Sequence, residues 1–217
     1  MLPSHTIIAF VPVTLDAGHH LGRHNEVLIG GATLTVQVTG GKIDFDLDTF
    51  VLRPSEPAED FLHWVDQKLS NDSATLALYA PDTVANLLRR LPGAEHSSGV
   101  RSLSGKGRQP IIRLLYGAPN GLLSLAEACA HASVACALAD ATDRFSAWVR
   151  CDIDHIATEA EIDVIAVWRL TIDAIARETG LGDELAPILR HHLTLWLHEA
   201  DRASTRIHHR DLNPLAN

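Results

Sequence analysis

The feature that most constrains the fold is an apolar run at residues 7–14, Ile-Ile-Ala-Phe-Val-Pro-Val-Thr. The run has no charge and is rich in β-branched side chains, which predicts a strand buried on both faces of a sheet. Pro12 lacks the backbone donor that a central strand needs. We therefore expect the strand either to pair only as far as Val11 or to have its exposed carboxyl end at Pro12. The carboxyl ends of central strands are where α/β folds carry their chemistry.

The composition is that of a globular protein with a full core. Of the 217 residues, 46% are hydrophobic and 21% are charged, and the formal net charge is −9. This charge argues against a strongly cationic nucleic-acid surface, while a local basic patch is compatible with it. Three cysteines without a CxxC spacing are typical of a reducing compartment. Because we recognise neither a signal peptide nor a membrane-spanning run, we expect a cytoplasmic protein.

The order of the predicted elements indicates an α/β fold. Residues 26–39 and 42–52 are predicted strands joined by a Gly40-Gly41 hairpin turn. The further elements are predicted to be a helix from about Ser55, a strand at 75–79, and helices at 82–91, 124–133, 142–149, 154–178 and 183–202. Three antiparallel strands followed by a helix and a parallel central strand are the ribonuclease H-like pattern. We expect such a mixed sheet flanked by helices over residues 1–178, with a helical extension over 179–217 packed on it.

The helix predicted at 154–178 carries the most informative polar residues. Its buried stripe is predicted to consist of Ile156, Ala160, Val164 and Val167. Glu159 and Asp163 lie four residues apart at the edge of this stripe, a spacing at which like charges weaken an isolated helix. Either both carboxylates lean into solvent, which we favour slightly, or Asp163 points at the carboxyl end of the first strand.

Residues 156–164, Ile-Ala-Thr-Glu-Ala-Glu-Ile-Asp-Val, resemble the third motif of the DnaQ-like 3′–5′ exonucleases, in the group related to the proofreading domain of family B polymerases. In that family the helix reads approximately Ile-Ala-x-Tyr-Cys-Glu-Ile-Asp-Val, with a Tyr that orients the attacking water and an Asp that binds metal. Residues 7–14 fall on the first motif, a strand ending in Asp-x-Glu-Thr. Residues 76–88 fall on the second, whose last part is Phe-Asp-x-Pro. Residues 116–118 and 124–127 resemble the family's linker into the next helix, so the motifs keep a consistent order.

The resemblance implies that most of the catalytic carboxylates are lost. The Asp and Glu of the first motif fall on Val11 and Val13, and the Asp of the second falls on Val84, or on Asp82 if the alignment slips. Glu159 stands at the position of the Tyr, and only Asp163 matches a catalytic residue. Two-metal hydrolysis needs several carboxylate oxygens to hold two divalent ions about 3.5–4 Å apart, and valine has none.

We therefore expect a non-catalytic protein that binds nucleic acid or a partner in nucleic-acid metabolism, with no cofactor and no metal ligands. In this hypothesis the valines fill the vacated cleft and make it part of the core. A working exonuclease with rearranged ligands is the second hypothesis, in which Mg²⁺ or Mn²⁺ would be bound; its ligands would be Asp16, Asp82, Glu159 and Asp163. A purely structural or assembly subunit is the third.

Other polar and apolar groups offer weaker candidates. The segment 93–110 reads as a mobile loop in which Arg101, Lys106 and Arg108 are candidate nucleic-acid contacts, and the basic residues at 202–210 either contact phosphates or form a frayed tail. We interpret Asp44, Asp46 and Asp48 as charges on an edge strand. The histidines, including His20, His24, His191 and His198, form no recognisable zinc motif. A wide apolar stripe on the last helix favours either a homo-oligomer interface or a helix enclosed in the domain; it consists of Leu185, Leu189, Leu193 and Trp196.

Overall fold

The structure is a computed structural model that describes residues 5–18, 22–23, 25–118, 121–139, 141–178 and 182–213. Its strands are β1 (His5–Asp16), β2 (Glu26–Thr39), β3 (Lys42–Val51), β4 (Thr75–Tyr79), β5 (Ile111–Leu114), β6 (Gly117–Ala118) and β7 (Gly121–Leu122). Its helices are α1 (Ala58–Lys68), α2 (Pro81–Leu88), α3 (Ser98–Leu103), α4 (Leu125–Ala132), α5 (Ala141–Val149), α6 (Ile153–Glu178), α7 (Gly182–Ala200) and α8 (Ala203–Leu212). The chain is an α/β protein, as the element order predicted.

The main sheet is mixed and has β1 at its centre. Its strand order is β3-β2-β1-β4-β5, with β1, β2 and β3 antiparallel and β4 and β5 parallel to β1. The pairing of β1 with β2 continues to Asp16, but the pairing with β4 covers only residues 7–10. Pro12 therefore lies beyond the parallel ladder, where its missing donor costs no hydrogen bond to β4. The central strand predicted from the apolar run is confirmed, but the expectation that it pairs only as far as Val11 or ends at Pro12 is wrong, because β1 continues to Asp16 along β2.

Both faces of β1 are buried, as its apolar sequence predicted. Ala9, Val11 and Val13 belong to a core shared with α6, whose predicted stripe of Ile156, Ala160, Val164 and Val167 is fully enclosed there. Ile8 and Phe10 point to the opposite face and pack in a second core. The residues that α1 contributes to this second core are Phe61, Leu62, Trp64 and Val65. The two faces of one strand thus connect both halves of the hydrophobic interior.

The carboxyl-terminal helices cover the sheet through α6, on which α7 and α8 both pack. Leu189 and Leu193 are buried in the first core, and Trp196 stacks on Phe45 of β3 with 5.2 Å between ring centroids. Leu189 and Leu193, two of the four residues predicted for a homo-oligomer interface, are therefore covered by the chain itself, and that interpretation is wrong for them. Trp196 is partly buried by its contact with Phe45. Leu185 is different, because 40% of it is exposed.

Two segments that were expected to be irregular contain helices, and three strands, β5, β6 and β7, were not predicted. The expected mobile loop at 93–110 contains a 3₁₀ turn (Ala94–His96) and α3, which Ser97 caps by accepting a hydrogen bond from the backbone of Val100 at 3.0 Å. Val100 and Leu103 of α3 are buried, an apolar pair that the surrounding polar residues conceal in the sequence. The expected frayed tail is α8, whose His208 is fully buried. The strand β5 follows α3 directly.

The acidic residues of β3 lie at the edge of the sheet, where they were expected. Asp44 pairs with Lys42 at 2.6 Å, and Asp48 pairs with Lys68 at 2.6 Å and accepts a hydrogen bond from the Trp64 indole at 3.0 Å. Lysine and indole groups of the protein thus provide partners for the carboxylates of Asp44 and Asp48, whose charges need no metal ion to offset them. Among the residues with described structure, no helix is both long and apolar enough to cross a membrane.

Phe45→Ala tests the packing of α7 on the sheet. The Phe45 ring contacts Trp196 and also meets Trp168 edge-on at 6.5 Å between centroids. Its removal leaves a cavity between two indoles and should cost about 3 kcal/mol of unfolding free energy in urea titrations. Asp44→Ala, on the exposed face of the same strand, is the control and should cost less than about 1 kcal/mol. Equal losses in the two variants would contradict this packing.

Candidate functional site

A cleft of about 690 Å³ opens where β1 and β4 reach their carboxyl ends. Because the two strands are parallel, both of these ends lie at the same edge of the sheet. The cleft walls come from β1, from α2, from the segment 122–127, and from α5 and α6. The residues that contribute to the argument below are Val11, Thr14, Tyr79, Thr83, Val84, Ala137, Arg144 and Asp163.

Short-range structure fixes the rim of the cleft between β4 and α4. After β4 the chain reverses at Ala80, which has a φ of 45°, and Pro81 then begins α2. On the opposite side, Ser124 and Glu127 form a capping box at the start of α4. The hydroxyl of Tyr79 donates a hydrogen bond to the backbone oxygen of Leu123, which links β4 to this segment. The rim is therefore held by the capping box of α4 and by the hydrogen bond from the Tyr79 hydroxyl to the backbone.

Arg144 of α5 connects three elements at the cleft. Its Nε donates to a carboxylate oxygen of Glu159 at 3.2 Å, and its terminal nitrogen donates to the backbone oxygen of Thr14 at 3.1 Å. Only 14% of the Arg144 side chain is exposed, and Glu159 also contacts His155 at 3.2 Å. This arrangement neutralises the Glu159 carboxylate and holds α5 and α6 against the end of β1.

Asp163 lines the cleft and is half-buried. Its carboxylate accepts a hydrogen bond from the backbone N–H of Ala137 at 2.9 Å. Burial raises the pKa of Asp163 to about 6, with a further increase from Glu159, although the Ala137 N–H and Arg144 oppose the shift. The favoured expectation that Glu159 and Asp163 lean into solvent is therefore wrong. The alternative, in which Asp163 points at the end of the first strand, agrees with the structure.

The three valines that the resemblance aligns with catalytic carboxylates are buried but leave the cleft open. Val11 and Val84 contribute to its floor with exposures of 4% and 3%, whereas Val13 packs in the core beneath α6. The expectation that these side chains fill the cleft is wrong. Its walls belong to separate helices and turns, and two short side chains on the floor cannot close the space between them.

The carboxylates of the second hypothesis are not brought together. Asp16 accepts hydrogen bonds at 2.9 Å from the backbones of Gly18 and Asn25, which fold the loop after β1 back on itself. The side chain of Asp82 is 86% exposed and lies 3.6 Å from Arg113. In the described ranges, no three or more His, Cys, Asp or Glu side chains form a group that could hold a metal ion. His20 and His24 lie outside these ranges.

The basic candidates lie apart from this cleft. Arg101 and Lys106 line a different cavity, next to the end of α2, and Arg108 does not line it. Arg113 of β5 pairs with Asp82. None of these four basic side chains contributes to the walls of the main cleft.

Sequence reasoning missed Arg144 and Tyr79 as site residues. The helix containing Arg144 was predicted, but its hydrogen bond to Thr14 joins residues 130 positions apart. No local pattern reports such a contact. Tyr79 closes a predicted strand, so its place at the carboxyl end of β4 was a usable signal.

Comparisons with protein-family models, with curated proteins and with solved structures find no match for this chain.

Asp163→Asn tests the electrostatics of the cleft. The folded-state pKa of Asp163 lies near 6, above its ordinary 3.8, so the folded state binds the proton more tightly and ionisation costs stability as the pH rises through this window. The neutral amide can still accept the Ala137 N–H and avoids this cost. We expect the variant to be more stable than wild type by about 2 kcal/mol at pH 8, with the difference shrinking toward pH 4, in urea unfolding.

Asp211→Asn is the matched control for this experiment. Asp211 pairs with Arg169 and accepts the backbone N–H of Ala135, contacts that hold its pKa below the ordinary value despite partial burial. Its neutralisation should therefore lower stability at pH 8. A loss of stability in both variants at that pH would contradict the account of Asp163.

Proposed function

We propose that this chain is a non-catalytic relative of the DnaQ-like 3′–5′ exonucleases with a ribonuclease H-like fold. Its cleft binds nucleic acid or a protein partner of nucleic-acid metabolism and does not hydrolyse phosphodiester bonds. One observation carries the proposal. Val11, Val84 and Asp163 were aligned with three separate motifs, and all three residues line the same cleft. Unrelated positions spread over 217 residues have no reason to converge in this way.

The sheet supports the fold part of the proposal. Three antiparallel strands come first, a helix follows, and two parallel strands then add on the other side of β1. This is the arrangement expected of a ribonuclease H-like domain. Helix α6, which contains the segment that resembles the third motif, packs against β1, which contains the segment aligned with the first. Asp163 of α6 therefore lines the same cleft as Val11 of β1.

The side chains around the cleft support binding without hydrolysis. Two-metal catalysis needs carboxylates that hold both ions and activate a water. Asp163 is the only carboxylate that the family alignment leaves at a catalytic position, and Arg144 already engages the neighbouring Glu159. A half-buried carboxyl group with a pKa of about 6 is poorly suited to holding two divalent ions alone. The geometry instead leaves a preformed cleft within the usual 300–1,000 Å³ range of ligand sites.

Metal and substrate tests address the loss of catalysis. We expect labelled single-stranded DNA and RNA to keep their full length during incubation with the protein and Mn²⁺, because the carboxylates that line the cleft, those of Glu26, Glu127 and Asp163, form no group among the described residues that could hold a metal ion. Mg²⁺ and Mn²⁺ should leave the Tm unchanged. Time-dependent shortening from the 3′ end that Asp163→Ala abolishes would overturn the proposal in favour of an active exonuclease.

A blocking variant addresses the binding role of the cleft. Thr83 is exposed on α2 and lines the cleft, so Thr83→Trp should obstruct it without disturbing the core. We expect this variant to bind a labelled single-stranded 12-nucleotide DNA or RNA at least tenfold more weakly in fluorescence anisotropy at 50 mM salt. Gln67→Trp, on the exposed face of α1, is the control.

Two results would change this assignment. Equal binding by wild type and Thr83→Trp would exclude the cleft as the nucleic-acid site. An absence of binding by wild type to both oligonucleotides would exclude nucleic acid as the ligand and leave a protein partner.

A further inference from the structure

A second cavity, of about 350 Å³, lies between the end of α2 and α3. Three basic side chains line it, those of Arg89, Arg101 and Lys106, and Glu95 is the only acidic residue among the lining residues. Three cations in one cavity are unusual in a chain whose formal net charge is −9. All three residues are exposed, so their charges are accessible to an anion from solvent.

These cations are not used by the rest of the protein. Within the part of the chain that the structure describes, the side chains of Arg101 and Lys106 form no hydrogen bond and no ion pair. Arg89 donates to the amide oxygen of Asn86 at 3.3 Å, a neutral partner on its own helix. Ser104 also lines the cavity, and its hydroxyl oxygen is buried without a hydrogen-bond partner among the described residues. The side chains of Arg101, Lys106 and Ser104 therefore offer unused donors to the cavity that they line.

The backbone fixes the positions of these groups. The end of α3 is a Schellman motif, in which the backbone N–H of Lys106 donates to the oxygen of Arg101 at 2.9 Å and that of Gly105 to the oxygen of Ser102 at 3.0 Å. Gly105 has a φ of +68°, which other residues rarely adopt. The motif returns Lys106 to the side of Arg101. It also engages the carbonyl oxygens at the helix end, which would otherwise repel an anion.

The following residues hold this turn against the core. The side-chain amide of Gln109 donates to the backbone oxygen of Leu69 at 3.0 Å. A Cβ added at Gly107 would lie 2.8 Å from the Cα of Ser102, so the turn passes close to α3. Lys106 thus projects from a packed turn, and Arg101 from the helix before it. Because the backbone of both is fixed, the entropy cost of binding a ligand is limited to their side chains.

From this arrangement we infer that the cavity between α2 and α3 is a binding site for a phosphate group, either the terminal phosphate of a nucleic-acid strand or the diphosphate of a free small molecule. Guanidinium and ammonium groups bind phosphate oxygens through charge-assisted hydrogen bonds. The volume of the cavity between α2 and α3 is at the lower end of the range for small-ligand sites. The inference is independent of the cleft at β1, since the two cavities share no lining residue.

Calorimetric titration with sodium pyrophosphate at 50 mM salt tests the site. We expect saturable binding with a dissociation constant below 1 mM, on the basis of three charge-assisted contacts. Arg101→Gln and Lys106→Gln should each weaken it at least tenfold. Arg108→Gln is the matched control, because Arg108 is an exposed basic residue of the same segment that does not line the cavity, and its affinity should stay within twofold of wild type.

The oligonucleotide arm identifies the source of the phosphate. Stronger binding of a 5′-phosphorylated single strand than of its 5′-hydroxyl counterpart, lost in Lys106→Gln, assigns the site to nucleic-acid ends. Equal binding of the two strands, together with saturable pyrophosphate binding, assigns it to a free small molecule. Thr83→Trp, which obstructs the cleft at β1, should retain pyrophosphate binding. A failure of the proposed binding at the cleft can therefore be distinguished from a failure of phosphate binding at this cavity.

No saturable pyrophosphate binding by wild type would overturn the inference. An Arg108→Gln variant weakened as much as Arg101→Gln would overturn it too, since the attraction would then be a general one to basic surface. Circular dichroism of each variant verifies that it folds.

Discussion

The burial of β1 on both faces is the constraint on which the rest of the structure depends. One face of this strand packs against α6 and the other belongs to the core that α1 helps to form, so neither half of the interior forms without it. The parallel pairing with β4 ends at Phe10, while the antiparallel pairing with β2 continues to Asp16. The unequal lengths of these two ladders leave an open space beside the end of β1. The cleft follows from strand length, and the polar contacts around it only hold its walls.

In the proposed relationship to the exonucleases, Arg144 takes over a structural role of the metal ions. In a two-metal nuclease site, divalent ions join carboxylates from different elements of the fold. Here a guanidinium joins the backbone of Thr14 to Glu159 of α6, and it does so with little exposure to solvent. The elements around the cleft are thereby held together without metal. Asp163 gains less from this arrangement than Glu159 does, because Arg144 only partly opposes the burial that raises the pKa of Asp163 to about 6. A destabilising carboxyl group retained in a cleft favours a role in binding over a role in stability.

The sequence predicted those parts of the fold that leave a local pattern. The bounds of β2 and β4 agree with the prediction, since alternation and a short β-branched run are readable within the segment itself. In contrast, α3 has only six residues, and its two buried apolar side chains, Val100 and Leu103, stand among polar ones, so periodicity could not reveal it. At the cleft, three of the five residues that the motif resemblance selected, Val11, Val84 and Asp163, line one cavity, whereas Val13 and Glu159 do not line it. The resemblance could not predict whether that cavity is filled, because the distance between its walls depends on contacts such as that of Arg144 with Thr14.

The central claim is that the cleft has the position of a two-metal site but lacks its ligands. Binding of Mn²⁺, followed by electron paramagnetic resonance of the free ion, tests this directly in wild type and in the double variant Val11→Asp with Val84→Asp. The account predicts no tight Mn²⁺ site in wild type and a new site in the folded double variant, in which two added carboxylates face Asp163 across the cleft. Tight binding of Mn²⁺ by wild type would contradict the account, and so would a folded double variant that binds none.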